Sequence, residues 1–167
     1  MTVYMKFGEI QGAVTTRGFE KWIECASFQM GVGRSIGTAA RGSSNREHSE
    51  PHISETMVTK MLDMASNKLF EDSIAGHLDS KVEFKFTTTT KSGVETYMHI
   101  KLRKAGLSGY SMSSGSDAPT ESLSINFAHV EYSHSKLDSK DAGTPVKVTY
   151  DLEQMKANAQ LTDHADL

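Results

Sequence analysis

Along Thr120 to Tyr132, T-E-S-L-S-I-N-F-A-H-V-E-Y, apolar positions alternate with polar ones and then change parity. Leu123, Ile125 and Phe127 share one side of an extended chain, and Ala128, Val130 and Tyr132 share the other. A strand with this pattern contains a bulge or passes from one packed sheet to another, as at barrel corners and in orthogonal sandwiches. Further strands are read from Val3 to Phe7 and from Trp22 to Met30, with β propensity supplied by Trp22, Ile23 and Phe28. His52 to Met61 also alternates, Ile53, Glu55, Met57 and Thr59 opposing Ser54, Thr56 and Val58. The period then lengthens to that of a helix. Leu62, Leu69, Phe70 and Ile74 fall on one face, which predicts a short amphipathic helix over Ala65 to Ala75. Asp63 or Ser66 is expected to cap its start and Gly76 to end it in a left-handed conformation.

Asp79 to Thr90 and Val94 to Leu107 predict a hairpin across Lys91-Ser92-Gly93, with Val82, Phe84 and Phe86 facing the same side as Met98, Ile100 and Leu102. Met112 to Pro119 is expected to be a loop, Val146 to Leu152 a last strand, and the polar tail 153–167 to fray. Between Gly31 and Pro51 glycine and serine replace large apolar residues, which predicts a loop of about twenty residues. Loops that long in one domain are usually functional or disordered. The sum is about eight strands and one helix, closed or nearly closed to avoid bare sheet edges.

A chain of 167 residues fits one domain, and one of about 150 residues buries roughly 70% of its unfolded surface. Eighteen basic against 21 acidic residues give a net charge of -3, too balanced for a nucleic-acid or polybasic membrane surface. The single cysteine, Cys25, lies between Ile23 and Phe28 and is expected to be a buried, inert thiol. Lys6 and Glu9 interrupt the N-terminal alternation, so no signal peptide is expected there, and no run reaches the length of a membrane span.

Candidate chemistry is sparse. G-V-G-R-S-I-G, from Gly31 to Gly37, follows a strand but has the wrong glycine spacing and no helix behind it for a dinucleotide loop. His48 and His52 have helical zinc-ligand spacing, but Ser49 and Pro51 oppose a helix and no third ligand is in register. His77 and Asp79 resemble an oriented base without a nucleophile elbow. His99, His129 and His134 occupy polar strand positions; at a subunit contact they would make assembly sensitive to pH near 6. No catalytic residue, cofactor or metal site is expected.

Four segments carry a resemblance to a known family. They are W-I-E-C-A-S-F-Q-M-G before the long loop, the helix K-L-F-E-D-S-I-A-G-H leading into V-E-F-K-F, the strand Y-M-H-I-K-L-R-K-A-G-L-S-G-Y-S, and T-E-S-L-S-I-N-F-A-H-V-E-Y. In order and spacing, from Val3 to Leu152, the chain resembles the Hcp family, tube-forming proteins of bacterial type VI secretion systems. The resemblance implies a mainly β fold: a small barrel of two packed antiparallel sheets with one short helix at its side. It also implies a six-membered ring with a wide channel, and rings stacked into a tube that a contractile sheath propels from the cell. Spike and sheath proteins and small effectors held in the channel would be its partners, with assembly in the cytoplasm before secretion.

By the same resemblance the arm from Gly33 to Glu50 reaches a neighbouring ring or subunit, where Arg34, Arg41 and Arg46 against Glu47 and Glu50 would form rim ion pairs. Ser27 to Gly31 would lie on the channel-lining sheet. Many relatives read S-F-S-x-G there, and Gln29 takes the place of the second serine in this chain. Two other readings stand beside this one. A monomeric barrel would hold a small molecule, and a hydrolase would use His77, Asp79 and a serine.

Overall fold

A computed structural model describes residues 1–35, 50–91, 93–135 and 146–160, with side chains to 157. Its strands are β1 (Thr2–Phe7), β2 (Ile23–Cys25), β3 (Ser27–Gln29), β4 (Val32–Gly33), β5 (His52–Ile53) and β6 (Thr56–Met61). After the helix α1 (Ser66–Ala75) come β7 (Ser80–Thr90), β8 (Gly93–Ser113), β9 (Thr120–Asn126), β10 (His129–His134), β11 (Val146–Asp151) and β12 (Lys156–Gln160). One antiparallel sheet has the order β12-β11-β10-β8-β7-β1-β2, and β3-β6-β9-β8 forms a second that shares β8 with it. The fold is therefore mainly β, two packed antiparallel sheets with one short helix.

Three stretches of chain cross between the sheets, each by exchanging its inward parity. In the signature segment, β9 pairs with β6 and β8 of the second sheet and β10 with β8 and β11 of the first. The crossing falls at Phe127 and Ala128, where the Ala128 N–H reaches the Arg103 carbonyl at 3.2 Å. β8 crosses at Lys104, which has a positive φ of 48°, and a register shift follows between Leu107 and Gly109. Its buried residues change from Ile100 and Leu102 to Ala105 and Leu107 accordingly. Trp22 to Met30 is not the single strand expected. Ile23 and Cys25 point inward from β2, but Phe28 does so from β3, because Ala26 crosses between them and donates to the Thr59 carbonyl at 2.7 Å.

The hairpin has the predicted facing. Val82, Phe84 and Phe86 stand directly opposite Leu102, Ile100 and Met98. Phe28 reaches across from the second sheet and meets Phe84 and Phe86 edge-on, at centroid distances of 4.9 and 5.0 Å. With Met5, Ile23, Val58, Leu123 and Ile125 these rings fill the space between the sheets. Such a core leaves the inward faces committed to one another and not to a small-molecule cavity.

Several local expectations are corrected. Gly76 ends the helix extended, at φ −71° and ψ 158°, and glycine is needed because a Cβ there would strike the Asp72 carbonyl. Asp63, by contrast, caps the first turn as expected: its Oδ1 accepts the Ala65 N–H at 2.9 Å, and Ser66 Oγ accepts the Asp63 N–H at 3.0 Å in the reciprocal pattern of a capping box. Of the predicted apolar helix face only Leu69 is buried, while Phe70 and Ile74 are exposed. The tail is not frayed from Glu153 onward, since β12 pairs with β11 from Asp151↔Lys156 to Lys147↔Gln160. His52 to Met61 divides into β5 and β6, and the loop before β9 begins only after Ser113.

Candidate functional site: two contrasting sheet faces

The outward face of the second sheet is built in rungs. Gln29, Met57, Ser124 and Gly109 lie side by side across its four strands; Ser27, Thr59, Ser122 and Ser111 form the next rung, and Met61, Thr120 and Ser113 a shorter one. None of these residues carries a charge. Ser27 and Thr59 join their hydroxyls at 2.6 Å, and Met57 and Met61 are the apolar side chains in this hydroxyl field, each about half exposed. Gln29 is exposed here because its neighbour Phe28 takes the inward position. Among the described residues β3 pairs only with β6, and the C-terminal part of β8 pairs only with β9. Both edges of this sheet thus lack a partner strand among the described residues.

Behind one end of that face lies a buried charge cluster. Lys60 and Glu121 are both fully buried and meet at 2.6 Å. Lys60 also donates to the Met61 carbonyl at 2.8 Å and to Ser66 at 3.2 Å, and pairs with Asp63 at 2.8 Å. The Tyr110 hydroxyl donates to the other Glu121 oxygen at 2.5 Å. Burial pushes the Glu121 carboxyl up, but hydrogen bonds from Lys60, Tyr110 and Ser66 outweigh it and hold the pKa below its usual 4.5. Burial, reinforced by Glu121, pushes the Tyr110 hydroxyl up to about 12.

The outward face of the first sheet has the opposite character. One rung runs Lys6, Glu83, Lys101, Glu131, Thr149, and the next runs Arg103, His129, Asp151, Lys156. Glu83 takes Lys81 at 2.7 Å and His99 Nε2 at 2.9 Å; Glu131 takes Lys147 at 2.9 Å and Lys101 at 3.5 Å. Against the upward push of burial these partners keep both carboxyls below 4.5. Burial lowers His99 below 6.5, and the bond to Glu83 only partly offsets this. Lys85 lies over the Trp22 ring at 4.9 Å, a cation–π contact on the same face.

A third surface is apolar. Met64, Phe70, Ile74 and Leu78, on and beside α1, are exposed, and Phe70 leans edge-on against Tyr110 at 5.3 Å.

The expected arm is rooted in the ladder of β4 and β5, where Val32 faces Ile53 and Gly33 faces His52. Ser54 fastens it: its N–H and hydroxyl donate to the Gly31 carbonyl at 2.8 and 3.1 Å, while the Gly31 N–H reaches its Oγ at 2.9 Å. Arg34 and Glu50 are exposed at this root, whereas Arg41, Arg46, Glu47 and His48 lie outside the described residues. His77 and Asp79 are exposed, and among the described residues neither is hydrogen-bonded to the other or to a serine. Cys25 is buried, and burial pushes its thiol up to about 12. Among the described residues no helix is long and apolar enough to cross a membrane.

Sequence reasoning missed the buried pair and the uncharged face. Lys60 has the parity of Thr56 and Val58, and Glu121 that of Leu123 and Ile125, so the alternation itself pointed both charges inward.

A family model described as "Type VI secretion system effector, Hcp" matches residues 4–134. No curated protein gives a match. A solved structure described as a type six secretion system protein is similar at 24% identity and a TM-score of 0.84, covering 94% of this chain and 99% of its own. Hcp1 from Salmonella typhimurium is similar at 16% identity and a TM-score of 0.74, covering 94% and 98%. A type VI secretion system effector from Yersinia pestis follows at 14% and 0.67, covering 89% and 98%.

Proposed function

Because the chain belongs to the Hcp family of type VI secretion tube proteins, we propose that it closes into six-membered rings whose second sheet lines a central channel and whose rings stack into the expelled tube. The observation that carries this reading is the pair of contrasting faces. An uncharged field of serine, threonine, glutamine and methionine suits a lumen through which small effector proteins pass, because it offers weak, adaptable contacts and no fixed ion pairs. The laced charges of the first sheet suit the hydrated outside, where sheath proteins would approach.

Closure has a physical rationale too. The two edges of the second sheet that have no partner among the described residues, β3 and the end of β8, belong to opposite sides of one sheet, so copies placed side by side can continue it around the channel. Exposed Phe70 and Ile74 supply apolar area beside the β8 edge. The arm between Arg34 and Glu50 then reaches a neighbouring ring, with Arg41, Arg46 and Glu47 contributing to register. Rings would form in the cytoplasm and leave through the secretion machinery and its spike. The subunit acts as structure and carrier and not through catalysis.

Replacing Gln29 by Glu tests the lumen assignment. Rings persist and retention of a co-expressed effector changes if Gln29 faces the channel; dissolved rings would place it at a subunit interface instead.

A further inference from the structure

The outward face of the first sheet holds a cluster with no part in the reading above. His129 opens β10, Asp151 closes β11 directly opposite it, and Glu153 follows in the turn to β12. One ligand-capable atom from each lies within 4.8 Å of the others. His129 and Asp151 help to line an open surface cavity of about 460 Å³ beside Lys101, Arg103, Lys104 and Lys156, and Glu153 stands outside that lining.

We propose that His129, Asp151 and Glu153 bind a borderline transition-metal dication, Zn²⁺ foremost, at the junction of β10, β11 and β12. An imidazole with two carboxylates is a nitrogen and oxygen donor set that suits zinc or its first-row neighbours better than calcium or magnesium. The spacing of the first two fits as well. Zinc bonds of about 2.0–2.2 Å to nitrogen and oxygen at tetrahedral angles put the two donor atoms about 3.3–3.5 Å apart, and His129 Nδ1 stands 3.3 Å from Asp151 Oδ2. Asp151 is fixed in that pose. Its Oδ1 accepts the Glu153 and Gln154 N–H groups at 2.9 and 3.0 Å, which leaves Oδ2 turned toward the imidazole.

Glu153 is the adjustable member. Lys104 donates to both its oxygens, at 2.9 and 2.6 Å, and His129 Nε2 lies 3.7 Å from it. Metal entry displaces the Lys104 ammonium from Glu153 and any proton from the ligating imidazole nitrogen. Lys104 is therefore a built-in competitor, a charge the cation must push aside. The site would tie the turn after β11 to the start of β10 and stiffen the outer strands of the first sheet.

The test is isothermal calorimetry of the full chain with zinc chloride, at the oligomeric state in which it purifies. The expected result is one metal per chain at the wild-type site. His129→Gln and Asp151→Asn should each weaken binding by more than about tenfold, the asparagine keeping an oxygen for the turn. Lys104→Gln should tighten it. His99→Gln, on the same face but paired with Glu83, should leave it unchanged. Circular dichroism matching wild type establishes that each variant is folded. The proposal is overturned by an absence of binding at millimolar zinc, by His129→Gln and Asp151→Asn both binding as wild type does, or by a Lys104→Gln variant that binds no more tightly.

Discussion

Lys60 and Glu121 meet at 2.6 Å with neither side chain reaching solvent, joining β6 to β9 behind the uncharged face. The two charges satisfy each other and engage Asp63, Ser66 and Tyr110. Breaking such a pair leaves an uncompensated buried charge, at a cost of about 3–5 kcal/mol, whereas replacing both partners by apolar residues is often neutral. Lys60→Met should therefore destabilise by about that amount, and Lys60→Met with Glu121→Leu by much less. Urea unfolding at one fixed protein concentration measures both. Equal losses in the single and double variants would contradict the account.

Acid should weaken the fold in two windows. Burial holds His99 below 6.5 in the folded chain, so the unfolded chain binds that proton more readily. The resulting stabilisation is complete above pH 6.5 and is lost as pH falls through the folded value. Glu83, Glu121 and Glu131 are held below 4.5, so their contribution is complete above pH 4.5 and is lost on further acidification. A His99→Asn variant should flatten melting temperature against pH just below 6.5 and leave the steeper loss below 4.5 in place. An unchanged profile would remove His99 from the explanation.

Cys25 should be inert in the native protein. Its thiol is buried and pushed up to about 12, so little thiolate forms at neutral pH and none is accessible. Ellman's reagent should label it only once urea unfolds the chain. Rapid labelling of the native protein would contradict its placement in the core.

Gly76→Ala should destabilise by about 1–3 kcal/mol, because the added methyl collides with the Asp72 carbonyl that the Gly76 N–H bonds. Backbone strain is not the cause, since φ at Gly76 is negative. Thermal unfolding of the variant checks this, and wild-type stability would mean that the turn relaxes freely.

The sheet crossings show what alternation reveals and where a reading of it stops. The change of parity between Phe127 and Ala128 marked a real crossing because a strand that changes sheets must turn its other side inward. Cys25 and Phe28 carry the same signal, and so do Leu102 and Ala105, but short or long runs of β-forming residues masked it. Lys60 and Glu121 look like solvent-facing charges until their parity is compared with Val58 and Leu123. β12 had no such signal. K-A-N-A-Q lacks β-branched and aromatic residues, and its pairing follows from a turn that Asp151 organises through the Glu153 and Gln154 amides. The uncharged face was legible only at Gln29, because a sheet face draws its residues from four separate segments and only pairing register brings them together.

The mass of the purified protein, measured by light scattering on a sizing column, tests the central claim most directly. A subunit of a six-membered ring predicts the mass of six chains of 18.3 kDa, or multiples of it as rings stack. A single-chain mass that persists at high concentration would contradict the ring, and with it the assignment of the uncharged face to a channel.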